Sequence, residues 1–237
     1  MNIQYCSDYG ELSLRAKNII FNEISKKPEL LLAAATGNSP LNAYQSLRKE
    51  YELNPDLFAK LRILKPDEWG GIPMDNPQTC ESFIHEHIIG PLQIGKDRYF
   101  TFESNPADPE EESSLMQLTL EQQGPIDLCI LGIGKNGHIA FNEPAESMNF
   151  NFHIAQLSPE SLQHPMAEAM GDKPHYGLTI GLGDIFKSKK VLLLITGKGK
   201  RDICDKLLSQ KITTQLPASL LWLHPDVECL IDKGIWE

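Results

Sequence analysis

The sequence predicts an α/β fold: a single three-layer αβα domain over residues 1–237, built on a mainly parallel, Rossmann-like sheet. Three observations carry that prediction. Short apolar runs alternate with helix-like stretches of roughly 10 to 18 residues, the pattern of a sheet covered on both faces. Several of the runs end directly in glycine-bearing turns, at Thr36–Pro40, Gly132–Gly137 and Gly197–Lys200. No internal repeat, low-complexity segment or linker divides the chain. Its 237 residues suffice for one large domain, which buries about three quarters of its unfolded surface.

Asp8 to Lys26 reads as the first helix. Asp8 caps it, Glu11 is the capping-box partner, and Leu12, Ala16, Ile19 and Ile20 form an apolar stripe. Pro28 stops it. Leu30–Ala35 is then a strand buried on both faces. In the turn that follows, Ser39 is placed as N-cap and Pro40 as first helical residue, with Leu41, Tyr44 and Leu47 pointing inward. Strand, glycine turn and helix start together make an anion site from unpaired N–H groups and the helix dipole, or a plain connection. Leu61–Leu64 is a third apolar run. Asp67-Glu68-Trp69 comes just past it, where two carboxylates can also simply cap the next helix.

Thr79 to Ile89 reads as a helix. His85 and His87 are two apart and face different directions, so they do not form a zinc pair and are placed at the surface. Pro91–Pro109 is loop-rich, with an apolar segment at Tyr99–Phe102. Glu110–Gln123 is an acidic helix with Leu115, Leu118 and Leu120 turned inward. Asp127–Leu131 is a core strand, Ser158–Met170 is weakly helical, and Leu178–Leu182 is a short strand. Lys190–Thr196 is a strand that runs through the Gly197–Lys200 turn into a helix ending at Leu208. Pro217–Leu223 is an apolar segment with Trp222 in the core and His224 as a C-terminal cap. Val227–Ile231 is the last strand.

Composition excludes several function classes. The net charge is −10 with no basic run, which argues against nucleic acid and anionic membranes as partners. Met1–Asp8 has no apolar core of a signal peptide, and no apolar run approaches the length of a span. The five cysteines are odd in number and widely spaced, as expected of buried thiols in a cytoplasmic protein. No His/Cys spacing suggests a metal, and none is expected.

The most informative stretch is Asp127 to Pro144, DLCILGIGKNGHIAFNEP. Gly132, Gly134 and Gly137 match a dinucleotide fingerprint letter for letter. That motif requires a long helix next, and Pro144 leaves no room for one. A glycine turn with a satisfied histidine is the plain alternative. What remains is a buried strand leading into a loop with His138 and Glu143 five residues apart, at the strand end where open α/β sheets bind ligands.

GHIAFNEP resembles the signature of the glucosamine-6-phosphate deaminase family, and the preceding GIGKN is more similar to its galactosamine-6-phosphate deaminase/isomerase branch. The related 6-phosphogluconolactonases share the glycines and histidine but do not normally continue as Phe-Asn-Glu-Pro. ATGNSPLNAY also resembles the family's phosphate loop. The resemblance implies an aldose–ketose isomerase and deaminase of a 2-amino-2-deoxyhexose 6-phosphate, with no cofactor. It implies that Thr36, Gly37, Asn38, Ser39, Gly137 and Lys200 bind the substrate and its phosphate. Asp67 is implied as the general base with Glu68 supporting it, and Asn136, His138 and Glu143 as the ring-opening group. Family members range from monomers to hexamers, so a homo-oligomer is compatible.

Two departures stand out. Asn136 occupies a position where the glucosamine deaminases usually carry Asp, and an amide supplies no negative charge. The arginine by which many deaminases hold the phosphate has no clear equivalent between Ser158 and Gly171; His164 is the nearest residue and is not assigned that role. The competing readings are a lactone hydrolase, disfavoured by FNEP, and a non-catalytic sugar-phosphate sensor, disfavoured by the presence of Asp67, His138 and Glu143.

Overall fold

Seven parallel strands run side by side in the computed structural model, which describes residues 1–237. Their order is Asn2–Cys6 (β1), Val227–Asp232 (β10), Lys190–Ile195 (β9), Leu128–Gly132 (β6), Leu31–Ala33 (β2), Arg62–Leu64 (β3) and Tyr99–Phe100 (β5). The central strands alternate between two cores, as strand geometry requires. Leu128 and Ile130 join the apolar layer under Tyr9–Lys26 (α1) and Asn38–Leu53 (α2). Cys129 and Leu131 join the opposite layer, under Pro109–Gln123 (α4), Leu182–Lys187 (α7) and Arg201–Leu208 (α8). The predicted three-layer architecture and parallel sheet are therefore present. No helix is long and apolar enough to cross a membrane.

A second, three-stranded sheet stands apart from the first. Tyr176–Thr179 (β8) pairs antiparallel with Asp67–Gly70 (β4) on one side and His153–Ala155 (β7) on the other. Trp69 and Phe141 pack under it with ring centroids 4.5 Å apart. This sheet settles the ambiguity at Asp67-Glu68-Trp69: the segment is a strand.

Several sequence expectations require correction. α2 begins earlier than its Ser39-Pro40 start. Gly37 is the N-cap at φ +88°, without a side-chain cap bond, so Ser39 and Pro40 lie inside the first turn. A glycine at positive φ lets the chain turn sharply from strand to helix. Leu115 and Leu118 of α4 point to solvent, 53% and 52% exposed, while Met116 and Leu120 supply the buried face. The helix is rotated because Ser113 and Gln117 also face inward. The Leu178–Leu182 strand is shifted back to β8, and Leu182 instead opens α7. Ser158–Met170 is two short helices, Pro159–Leu162 (α5) and Pro165–Ala169 (α6), broken where Pro165 removes a donor. Thr79 caps Cys80–Ile84 (α3), which continues as a π-helical turn to Ile89. Edge strand β1, absent from the sequence reading, is five residues long and alternates Asn2 and Gln4 with Ile3 and Tyr5, too short a pattern to stand out at the chain start.

Candidate active site

A cavity of about 890 Å³ opens at the carboxyl ends of β2, β6 and β9, and the edge of β4 closes its side. That is where an open parallel sheet leaves loops and helix starts facing one crevice. Thr36, Gly37, Asn38, Ser39, Asp67, His138 and Lys200, all singled out in the sequence, line it. The two halves of the proposed chemistry, Asp67 and His138, thus share one space.

Asp67 begins β4. Its Oδ1 is shielded from solvent and has no hydrogen-bond partner. Burial, reinforced by the charge of Glu68, pushes its carboxyl up to about 7, against the opposing charge of Lys65. Glu68 points the other way and is fully buried. Its oxygens accept from the backbone N–H groups of Trp69, Cys80 and Glu81, each at 2.8 Å, and from Lys65 Nζ at 3.0 Å. Glu68 therefore anchors the start of α3 to β4 and compensates the buried Lys65. Lys65 is held in addition by Glu81 at 2.9 Å and by the carbonyl of Phe102 at 2.8 Å.

His138 lies at the end of the β6 loop, with its ring against the backbone of Gly134. A Cβ on that residue would fall 2.4 Å from the imidazole Cε1, so only glycine fits there. The imidazole Nδ1 faces Ser161 Oγ at 3.1 Å and Glu143 Oε2 at 3.4 Å. Glu143 is the hub behind it. Asn136 Nδ2 donates to its Oε2 at 2.7 Å, and the Ser158 backbone N–H and Ser161 hydroxyl donate to its Oε1. Burial alone would raise the Glu143 carboxyl. The hydrogen bond and charge of His138, with Ser161 and Asn136, outweigh it and hold the group down at about 2.

The loops interlock around the cavity. Ser39 Oγ lies 3.9 Å from where a Cβ on Gly132 would stand, and His164 Nε2 lies 3.9 Å from the corresponding point on Gly37. His164 Nδ1 accepts from the Met166 backbone at 3.3 Å, which leaves Nε2 turned toward the Gly37 loop. The surrounding protein and the nearby charges of His138, Lys200 and Lys135 push His164 down to about 4. Burial and Lys135 push Lys200 down to about 8, and its Nζ donates to the carbonyl of Ile133. In a chain of net charge −10, Lys135, Lys198 and Lys200 bring positive charge to one cavity.

Gly137 stands outside the cavity lining. At φ +93° it faces Leu216, whose Cδ1 would lie 2.3 Å from a Cβ, and its carbonyl accepts from Ala218. Its requirement for glycine comes from packing. His224 lies away from the site, buried after the Pro217–Leu223 turn, with Nε2 at 2.9 Å from the Ser188 carbonyl. Sequence reasoning missed Lys65, Lys135, Ser158 and Ser161. Lys135 is next to Asn136 and Lys65 two residues before Asp67, which was the available signal; the two serines gave none beyond helix capping.

A family model described as glucosamine-6-phosphate isomerases/6-phosphogluconolactonase matches residues 10–230. An Escherichia coli (strain K12) protein provisionally named as the deaminase AgaI is 39% identical, over 97% of this chain and 91% of its own. The glucosamine-6-phosphate deaminase of Thermoanaerobacter pseudethanolicus is 34% identical, over 98% and 93%. Among solved structures, a monomeric glucosamine-6-phosphate deaminase superposes with TM-score 0.92 at 33% identity, covering 100% and 99% of the two chains. A 6-phosphogluconolactonase from Trypanosoma cruzi, 21% identical with TM-score 0.80, shares the fold over 99% of this chain and 95% of its own.

Proposed function

Since the chain belongs to the glucosamine-6-phosphate isomerase/6-phosphogluconolactonase family, we propose that it isomerises and deaminates a 2-amino-2-deoxyhexose 6-phosphate. The products are a ketose 6-phosphate and ammonia. The carrying observation is the unpaired, shielded Asp67 carboxylate oxygen sharing one cavity with His138, which Glu143 backs from behind.

The phosphate sits on the Gly37–Ser39 turn, where the first N–H groups of α2 are unpaired, opposite Lys200. His138 takes the proton of the anomeric hydroxyl on Nε2 and passes it to the ring oxygen, which opens the sugar. Asp67 removes the C2 proton; a carboxylate kept from water and poised near neutrality suits that task. The resulting enolamine is protonated at C1. Water then adds at C2, ammonia leaves, and the ketone remains. Glu68 takes no part in proton transfer in this scheme, because all its lone pairs are directed at Lys65 and backbone N–H groups. A lactone hydrolase needs no base at C2, so a shielded Asp67 beside His138 favours the deaminase.

The galactosamine epimer is preferred because Lys135-Asn136-Gly137 resembles the galactosamine-type branch, with glucosamine 6-phosphate as the second reading. The test is ammonia release from both 6-phosphates by wild type and Asp67→Asn. Release from at least one is expected, faster with the galactosamine epimer, falling about 10³-fold or more in the variant. Absence of ammonia from both compounds refutes the reading, and undiminished turnover by Asp67→Asn removes that residue from it.

A further inference from the structure

Beside Glu143 and His138 the chain places an amide, Asn136, and every polar group around it is paired. Asn136 Oδ1 accepts from the backbone N–H of His138 at 3.1 Å. That fixes the amide's orientation, so its two N–H bonds point to Glu143 Oε2 at 2.7 Å and Ser158 Oγ at 3.0 Å. The Ser158 hydroxyl also accepts from the Ser161 backbone at 3.1 Å, and its single proton goes to Ser161 Oγ at 3.1 Å. Ser161 Oγ–H has one proton and an acceptor-only carboxylate beside it, Glu143 Oε1, to which it donates. The oxygen of Ser161 is then an acceptor toward its remaining neighbour, the Nδ1 of His138.

We infer that Asn136, Ser158 and Ser161 form a directed hydrogen-bond relay that fixes His138 with its proton on Nδ1 and its Nε2 free for the substrate. Ser161 is the positioning residue in it. The direct contact between His138 and Glu143 is long, 3.4 Å, and the serine hydroxyl bridges the two more closely. The relay explains why an amide fits at 136: a carboxylate there would place a second acceptor 2.7 Å from Glu143 Oε2, with no proton between them. It also gives the segment carrying α5 a role. Ser158, the N-cap of that short helix, and Ser161 tie it to the histidine.

The inference rests on the proposed deaminase reading only for its kinetic consequence. The tautomer itself is a property of the resting protein. Nitrogen NMR of the labelled protein without substrate, on wild type, Ser161→Ala and Ser161→Thr, reads it directly. In the neutral ring the expected wild-type state is protonated Nδ1 and bare Nε2. Ser161→Ala is expected to mix or invert the tautomers, and Ser161→Thr, which keeps the hydroxyl, to restore them. On the proposed substrates, Ser161→Ala is expected to lower kcat about 10- to 100-fold with KM nearly unchanged, less than the ~10²–10⁴ of a whole proton-transfer group. A wild-type ring protonated on Nε2, or a tautomer unmoved in a folded Ser161→Ala protein, overturns the relay. Ammonia-free assays with the expected tautomer overturn only the substrate reading.

Discussion

The edge of β4 brings the Asp67 carboxylate to the cavity, the loop after β6 sets the Glu143 carboxylate behind the cavity-lining His138, and the two surroundings treat their carboxylates in opposite ways. Glu143, in the loop, receives hydrogen bonds from Asn136, Ser158 and Ser161 and faces His138, and it is held down at about 2. Asp67, on the strand edge, keeps an oxygen with no partner and is pushed up to about 7. One environment stabilises charge so that it orients a neighbour. The other withholds solvation so that the group takes a proton readily. Position on the strand decides which: Glu68, one residue further along β4, points to the opposite side and meets three backbone N–H groups and a lysine.

The largest expected effect comes from breaking the satisfied member of that neighbouring pair. Glu68→Gln leaves Lys65 short of a buried counter-charge, and the cost of stripping one partner from a buried ion pair is about 3–5 kcal/mol. Urea denaturation should show a loss of that order, and a loss below 1 kcal/mol would make Glu68 dispensable to the fold. Next is Glu143→Gln. A carboxyl at about 2 in the folded state lies below its unfolded value near 4.3. Its stabilisation is therefore complete above pH ~4.3 and is lost as pH falls toward about 2. The variant should be less stable by about 2–3 kcal/mol at neutral pH, with the gap to wild type closing in acid. A pH-independent gap would mean the charge is not what stabilises.

Asp67→Asn reverses the sign. Its folded value of about 7 lies above the unfolded value near 3.9. Its contribution is fully present below pH ~3.9 and is lost as pH rises through about 7. The asparagine variant should thus gain stability over wild type in mild alkali, on the order of 1–2 kcal/mol, and match it in acid. Thermal melts on both sides of neutrality read this, and a variant less stable than wild type at every pH contradicts the unsolvated environment assigned to Asp67.

Legibility followed the same division. Glycines, apolar runs and the His138–Glu143 spacing lie close together in the chain, so the parallel sheet and the β6 loop were readable from it. The three-stranded sheet was not, because β4, β7 and β8 pair across long separations and each is four residues or fewer. The burial of Asp67 depends on that sheet, and no local pattern encodes it. Ser161 likewise reads as an ordinary helix residue, 23 positions from the His138 ring it touches. Leu115 and Leu118 misled for a different reason: α4 has polar residues on its buried side, which blurs the apolar stripe.

The most direct test follows cleavage of the C2–hydrogen bond by NMR, using amino-sugar phosphate deuterated at C2, in wild type and Asp67→Asn on both sides of neutral pH. A shielded base at this position predicts a wild-type rate that climbs as pH passes through about 7, and a variant in which cleavage is nearly absent throughout. Cleavage by Asp67→Asn at the wild-type rate would contradict it.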